Sequence, residues 1–384
     1  MKIGILTQPL YSNYGGVLQA YALQKVLRNL GHEPTTLNYD KKTSLPPRKK
    51  VISIIKRIGA RLVWGRRISL SLDTIPFPDT NLYIRNFIAE NISMTQKFCP
   101  PLKFEDIAGF GFGAFIVGSD QTWRPCYSPH LPTFFLDFIP ENCPAKKIAY
   151  ASSFGTGDME YSESELAVYA PLMRKFDAVS VREKSGAELC KKFFGADAAF
   201  VLDPTMLLNA SDYETLIELD RRRSILKGDD LRGFCSSYIL DNSPEKERFF
   251  ARVAEIRHLK TNKISISEKF PPRSLDLDSC MLRPVTEWLE TIKNSGFVVT
   301  DSFHGTVFAI LFKTPFISIA NEGRGADRFK SLLSLFGLQE RLVHNYDLAE
   351  AERIANLQID WNKIGAALEE MREYSLNFLK ENLS

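Results

Sequence analysis

One pattern narrows the folds open to this chain more than any other. Apolar runs of strand length recur along it, and each runs into small or polar residues. Lys2–Leu6 (KIGIL) leads into a loop ending in NYGG. Ala114–Val117 (AFIV) leads into GSDQTW, Lys147–Ala151 (KIAYA) into SSFGTG, and Ala178–Val181 (AVSV) into REKSG. Phe200–Leu202 leads into Asp203, Pro204 and Thr205. Between the first two strands, Val17 to Leu30 places apolar residues at helical spacing, Gly31 stops the helix, and Thr35–Tyr39 reads as the next strand. Strand, helix, strand implies a parallel sheet. In open sheets of that kind ligands bind at the carboxyl ends of the strands.

The alternation starts again near Leu231. Gly233–Leu240 and Lys263–Ser267 read as strands, and Thr286–Asn294 as a helix. Phe297–Thr300 (FVVT) is a strand leading into DSFHG, Thr306–Phe312 a helix, and Pro315–Ile319 a strand. From Asp360 onward one amphipathic helix is expected. The expected division is residues 1–205, 206–345 and a helical tail, 346–384. The fold class is α/β: two Rossmann-like units facing a cleft, with a C-terminal helix. The cleft between two such units is the default ligand site.

The charge balance excludes some functions. Forty-nine basic and 46 acidic residues give a net charge of +3, without the basic excess of a nucleic-acid binder. Six scattered cysteines with no CxxC pair offer neither a disulfide framework nor a zinc site. They read as reduced thiols of a cytoplasmic protein. The start, MKIGILTQPL, reads as no signal peptide, and no apolar run reaches membrane-spanning length. Residues 41–70 break the balance, with ten Lys or Arg and no acid. Within them, residues 50–64 place Val51, Ile54, Ile55, Ile58, Leu62 and Val63 on one helical face and Lys56, Arg57 and Arg61 on another. Two readings stand: a basic interfacial helix making peripheral membrane contact, or a surface helix covering its own domain.

The candidate chemistry lies at the strand ends. In TDSFHGTVFAI, His304 stands where a helix start favours an anion, able to donate to phosphate or move a proton. Arg182 follows a buried strand and offers a planar fork for phosphate or carboxylate. Asp120, after Gly118, is able to take a hydroxyl proton or to cap a helix. Arg324, Arg328 and Lys330 form a cationic lip beside Gly323 and Gly325. In the first loop, Gly15 and Gly16 allow backbone to approach a ligand, or make a tight turn. No P-loop, dinucleotide, GxSxG or HExxH motif occurs. The set suits a small, multiply negative substrate.

Taken in order, NYGGVLQAYALQ, GSDQTW, YASSFG, VREKSG, LDPTML and TDSFHGTVFAILFKTPFISI give the chain a family likeness. It resembles the polysaccharide pyruvyl transferases across about residues 1 to 340. The resemblance implies a two-domain enzyme of the glycosyltransferase-B type. It would move the pyruvyl group of phosphoenolpyruvate onto a sugar as a ketal, the sugar belonging to a surface-polysaccharide precursor, often lipid-linked. It carries the family's basic position to Arg182, its histidine to His304 beside Phe303, and its acidic position to Asp120. Some relatives have an arginine where this chain has Ser302, a place Arg324 or Arg328 would fill.

Asn13, Tyr14, Gly15, Gly16 and Gln19 are expected on the acceptor side, and Ser119 and Gln121 beside Asp120. Ser302, Phe303 and Gly305 are expected beside His304. Phosphoenolpyruvate serves as substrate, so no cofactor is expected and no metal site is evident. A cytoplasmic place at the inner face of the membrane follows. Two alternatives remain: a nucleotide-sugar glycosyltransferase and a catalytically inactive glycan-binding member.

Overall fold

The structure is a computed structural model. It describes residues 1–40, 81–226, 228, 230–264 and 282–384, together with 51, 52, 54–56, 58, 59 and 62. The basic stretch therefore lies largely outside the described residues, as do Cys280 and residues 265–267 of one expected strand.

The first sheet holds β1 (Lys2–Leu6), β2 (Glu33–Tyr39), β3 (Met94–Phe98), β4 (Ala114–Val117), β5 (Lys146–Ser152), β6 (Ala178–Val181) and β7 (Ala199–Phe200). Its order is β3-β2-β1-β4-β5-β6-β7, and every pairing is parallel. The second sheet holds β8 (Phe234–Tyr238), β9 (Lys260–Lys263), β10 (Phe297–Thr300), β11 (Phe316–Ile319) and β12 (Leu342–Val343). Its order is β12-β11-β10-β8-β9, again parallel throughout. A parallel sheet must be covered on both faces, so its central strands are apolar along their length. β4, β10 and β11 are buried at every residue. The edge strands β3 (MTQKF) and β9 (KTNK) have exposed residues and few apolar ones. For that reason β3 does not stand out as an apolar run, and β9 lies upstream of its expected place.

The helices that place the site are α1 (Tyr14–Asn29), α2 (Leu82–Asn91), α3 (Glu163–Met173), α4 (Lys184–Leu189), α5 (Ala210–Arg222), α6 (Pro244–Ile256), α7 (Val285–Asn294), α8 (Phe303–Leu311), α9 (Asp327–Leu335), α10 (Leu348–Ala355) and α11 (Trp361–Leu383). α1 is buried from Tyr14 to Leu23 because it packs against its own sheet, α2 and the second unit. Tyr14 stacks on Trp288 of α7 at 5.5 Å and donates to the Arg283 carbonyl at 3.0 Å. α8 begins at Phe303, three residues earlier than its apolar spacing suggests, because Ser302 caps it by accepting from Gly305 N–H at 3.3 Å.

The tail divides. α10 buries Ala351, Ile354 and Ala355 against the second unit. α11, started by Asp360 accepting from Asn362 and Lys363 N–H, returns to the first. There Ser375 Oγ accepts from Leu202 N–H at 3.0 Å, and Arg372 donates to the Met206 and Leu208 carbonyls at 2.9 and 3.3 Å. The result is two Rossmann-like domains with a C-terminal helix that crosses between them.

Candidate active site

Four loops of the first domain and two of the second meet at one buried cluster. Arg182, one residue beyond β6, is at its centre. Its Nη2 donates to Asp120 Oδ1 at 2.7 Å and its Nη1 to Asp203 Oδ2 at 2.8 Å. Asp203 Oδ1 meanwhile accepts from Thr205 N–H and Oγ1, and Oδ2 also accepts from Ser119 Oγ at 3.1 Å. From the second domain, α8 delivers His304, whose Nε2 lies 3.6 Å from Asp203 Oδ2. α9 delivers Arg328, whose Nη1 is 4.0 Å from Asp120 Oδ1. Both guanidinium groups lie against Phe303, Arg182 at 4.9 Å and Arg328 at 5.3 Å from its ring centre. A guanidinium over an aromatic face is stabilised by the ring quadrupole, more so when desolvated.

Burial alone would push both aspartates up. Their neighbours outweigh it: Arg182, His304 and Arg328 hold Asp120 below its ordinary value. His304, Arg182 and the Thr205 hydroxyl hold Asp203 well below the carboxylate range. Arg182 is shifted the other way, because Asp120, Asp203 and Glu183 outweigh its desolvation. Arg328, desolvated and facing Arg182, is pushed down to about 10 and keeps its charge at neutral pH. Glu183 is fully buried. Its Oε1 accepts from Phe154 and Gly155 N–H, its Oε2 has no hydrogen-bond partner among the described residues, and burial pushes it up despite Arg182 and Arg328. Among the described residues, Arg182 Nε and His304 Nε2 are also buried without hydrogen-bond partners. Unpaired buried polar atoms are costly, so these three are positions where a ligand's polar groups would be stabilised.

Of the residues singled out in the sequence, the structure brings together Asp120, Arg182, His304, Phe303, Arg328 and Ser119. Gly15 joins them from the far side: a Cβ there would overlap the His304 ring at Nδ1 and Cγ. Asn13 is exposed at the start of α1, and Gly16 is buried behind it. Others correct the expectation. Tyr14 does not face a cleft, because it is sealed between the domains on Trp288. Gln19 is fully buried. It donates to Thr7 Oγ1 and the Gly16 carbonyl and accepts from Ser119 N–H, which makes it a brace for the Ser119–Asp120 loop.

Gln121 accepts from Arg124 at 3.3 Å. Arg324 is spent on a bidentate pair with Asp241, and Lys330 pairs with Asp327. Of the cationic lip, Arg328 alone enters the cluster. Ser302 is a cap, and Gly305 is there because a Cβ would overlap Thr300 Oγ1. Sequence reasoning missed the roles of Asp203 and Glu183. In the sequence Asp203-Pro204-Thr205 is only a polar stretch beyond an apolar run, and in the structure one Asp203 carboxylate oxygen caps the turn. The other carries the contacts to Arg182 and His304.

A family model described as polysaccharide pyruvyl transferase matches residues 13–323. None of the curated proteins matches the chain in sequence. Among solved structures, S. aureus MnaA with UDP aligns at 12% identity and TM-score 0.48, over 100% of this chain and 96% of that one. A UDP-GlcNAc 2-epimerase of Methanocaldococcus jannaschii aligns at 12% identity and TM-score 0.47, over 97% and 100%. Acinetobacter baumannii MurG aligns at 8% identity and TM-score 0.44, over 99% and 98%.

Proposed function

Because the chain belongs to the polysaccharide pyruvyl transferase family, we propose that it transfers the pyruvyl group of phosphoenolpyruvate to a sugar of a surface-polysaccharide precursor, forming a ketal. The observation that carries this reading is the pair of guanidinium groups, Arg182 and Arg328, that meet at the Phe303 ring. It joins cations from two domains over a cluster with unpartnered Arg182 Nε and His304 Nε2. A donor with a phosphate and a carboxylate suits two such cations.

Chemically, one sugar hydroxyl loses a proton and bonds C2 of the donor, while the methylene carbon gains a proton. The C2–O bond to phosphate then breaks, its electron pair leaving with the phosphate, and a second hydroxyl bonds C2 to close the ketal while the departing phosphate takes its proton. In this reading Asp120 takes the hydroxyl proton once substrate displaces it from Arg182. Glu183, buried and held toward its neutral form, is available as an acid. Arg182 and Arg328 stabilise the charge that gathers on the departing phosphate. All these residues belong to the chain, and no cofactor or metal takes part in the reading.

The membrane part of the reading rests on the described residues between 51 and 62. They are helical, and Val51, Ile52, Ile55, Ile58 and Leu62 are 41–80% exposed. Exposed apolar residues amid ten basic ones suit an anionic bilayer bearing a lipid-linked acceptor at the inner membrane face. No described helix is long and apolar enough to cross a membrane.

The test is thermal-shift titration of the wild type and Arg328→Ala with phosphoenolpyruvate, and with UDP as the competing ligand. A folded-state ligand at 100-fold over its dissociation constant stabilises by about 2.7 kcal/mol. A saturable rise with phosphoenolpyruvate, weakened in Arg328→Ala, is expected. A rise with UDP alone would sink the reading in favour of a nucleotide-sugar enzyme.

A further inference from the structure

The second sheet has its own switch point. The chain runs from β8 to β9 on one side and returns to β10 on the other, so the loops after β8 and β10 leave side by side from the register partners Tyr238 and Thr300. Such a crevice, at the carboxyl ends of the strands, is where doubly wound sheets take phosphate-bearing ligands. Here it holds a side chain of the protein itself. Asp301 Oδ1 accepts from Leu240 N–H at 2.6 Å. Its Oδ2 accepts from Asp241 N–H at 3.1 Å, Lys246 Nζ at 2.7 Å and Asn321 Nδ2 at 3.3 Å. Lys246, in the first turn of α6, also donates to the Asp241 carbonyl at 2.7 Å. The Asp301 side chain is fully buried, and that of Lys246 is 7% exposed. Two consecutive backbone N–H groups together with an ammonium make a seat for an anion.

We propose that Asp301 fills this anion seat from within the chain and so keeps the phosphates of a nucleotide out of the second domain. The inference goes beyond the phosphoenolpyruvate reading, because it names the residue that sets a small donor apart from a nucleotide sugar. A carboxylate tethered one residue beyond β10 occupies the seat without the loss of translational freedom that a free anion suffers on binding. Displacing it would leave a buried carboxylate without its partners, which is costly. The nearby Arg324 offers no second seat, since Asp241 holds it in a bidentate pair. The second domain then contributes His304 and Arg328 to the shared cluster while its own switch point stays closed.

Removing the carboxylate opens the seat. Formate carries the group that Asp301→Ala lacks. Thermal-shift titration with formate, against chloride at equal ionic strength, is expected to raise Asp301→Ala saturably and by more than wild type. The extra rise is expected to vanish when Asp301→Ala is combined with Lys246→Met. Calorimetry with UDP is expected to show Asp301→Ala binding about 10-fold or more tighter than wild type, the range of a hydrogen bond to a charged group. Asp301→Asn keeps the size of the side chain and removes its charge, and is expected to give the same order with smaller shifts. No extra formate rise in either variant overturns the proposal. So does a formate rise without a gain for UDP, or UDP binding as tight to wild type as to the variants. Phosphoenolpyruvate titration of wild type reads the donor separately. No binding there, alongside the expected formate and UDP results, would defeat the donor reading and leave this inference standing. Binding there, with UDP indifferent to Asp301, would defeat the inference alone.

Discussion

Arg182 has both of its Nη groups committed to carboxylates, which ties stability to the site. Arg182→Met leaves two buried carboxylates without their partner. It is expected to cost about 3–5 kcal/mol in denaturant unfolding. A loss under about 1 kcal/mol would mean the pairing contributes little. The same groups set the acid limb. Asp120 and Asp203 are held low in the folded state, so their contribution is complete above the unfolded aspartate value, about 3.9. It is lost as pH falls through their folded values. Glu183 has the opposite sign. Its folded value is raised, so its contribution is fully present below the unfolded glutamate value, about 4.3, and is lost as pH rises through the folded one. Glu183→Gln should therefore be more stable relative to wild type at pH 8 than at pH 4. A difference that does not change with pH would refute this. Arg182, His304 and Asp120 were legible because each follows an apolar run at a strand's carboxyl end. Gly15 was legible only as a glycine, since its reason is a ring supplied from the other domain.

At the scale of elements, the strands were readable where both faces are covered and unreadable at the edges, where polar residues are tolerated. The crossing of α11 was not readable at all. Its amphipathic face names no partner, and the partner is the loop after β7. Ser375→Ala removes the acceptor of Leu202 N–H, and Arg372→Met removes donors to two carbonyls. Each is expected to cost about 1–3 kcal/mol, the range for an unsatisfied buried group. Both should also weaken donor binding, since the gripped loop carries Asp203. Thermal unfolding together with calorimetry checks this. Lower stability with unchanged binding would separate the helix from the site.

For the whole molecule, the domains close over what they share. Asp120, Arg182, Asp203, His304 and Arg328 are each no more than 7% exposed, buried where the two domains meet. The seam includes Lys184 N–H donating to Ser331 Oγ at 3.0 Å and Arg124 donating to the Gly323 carbonyl at 3.2 Å. Gly325, at φ +94°, lies where a Cβ would overlap the Gly155 carbonyl. Gly325→Ala is expected to hold the domains apart, raising the radius of gyration in small-angle scattering and weakening the donor. An unchanged radius would show that the seam absorbs the methyl. The crossing of α11 also carries a consequence for synthesis. A ribosome makes the first sheet, Asp203 included, long before it makes Arg372 and Ser375. The strands of the first domain are free to form early on the nascent chain, but the loop that orients Arg182 and His304 is secured only after α11 has emerged.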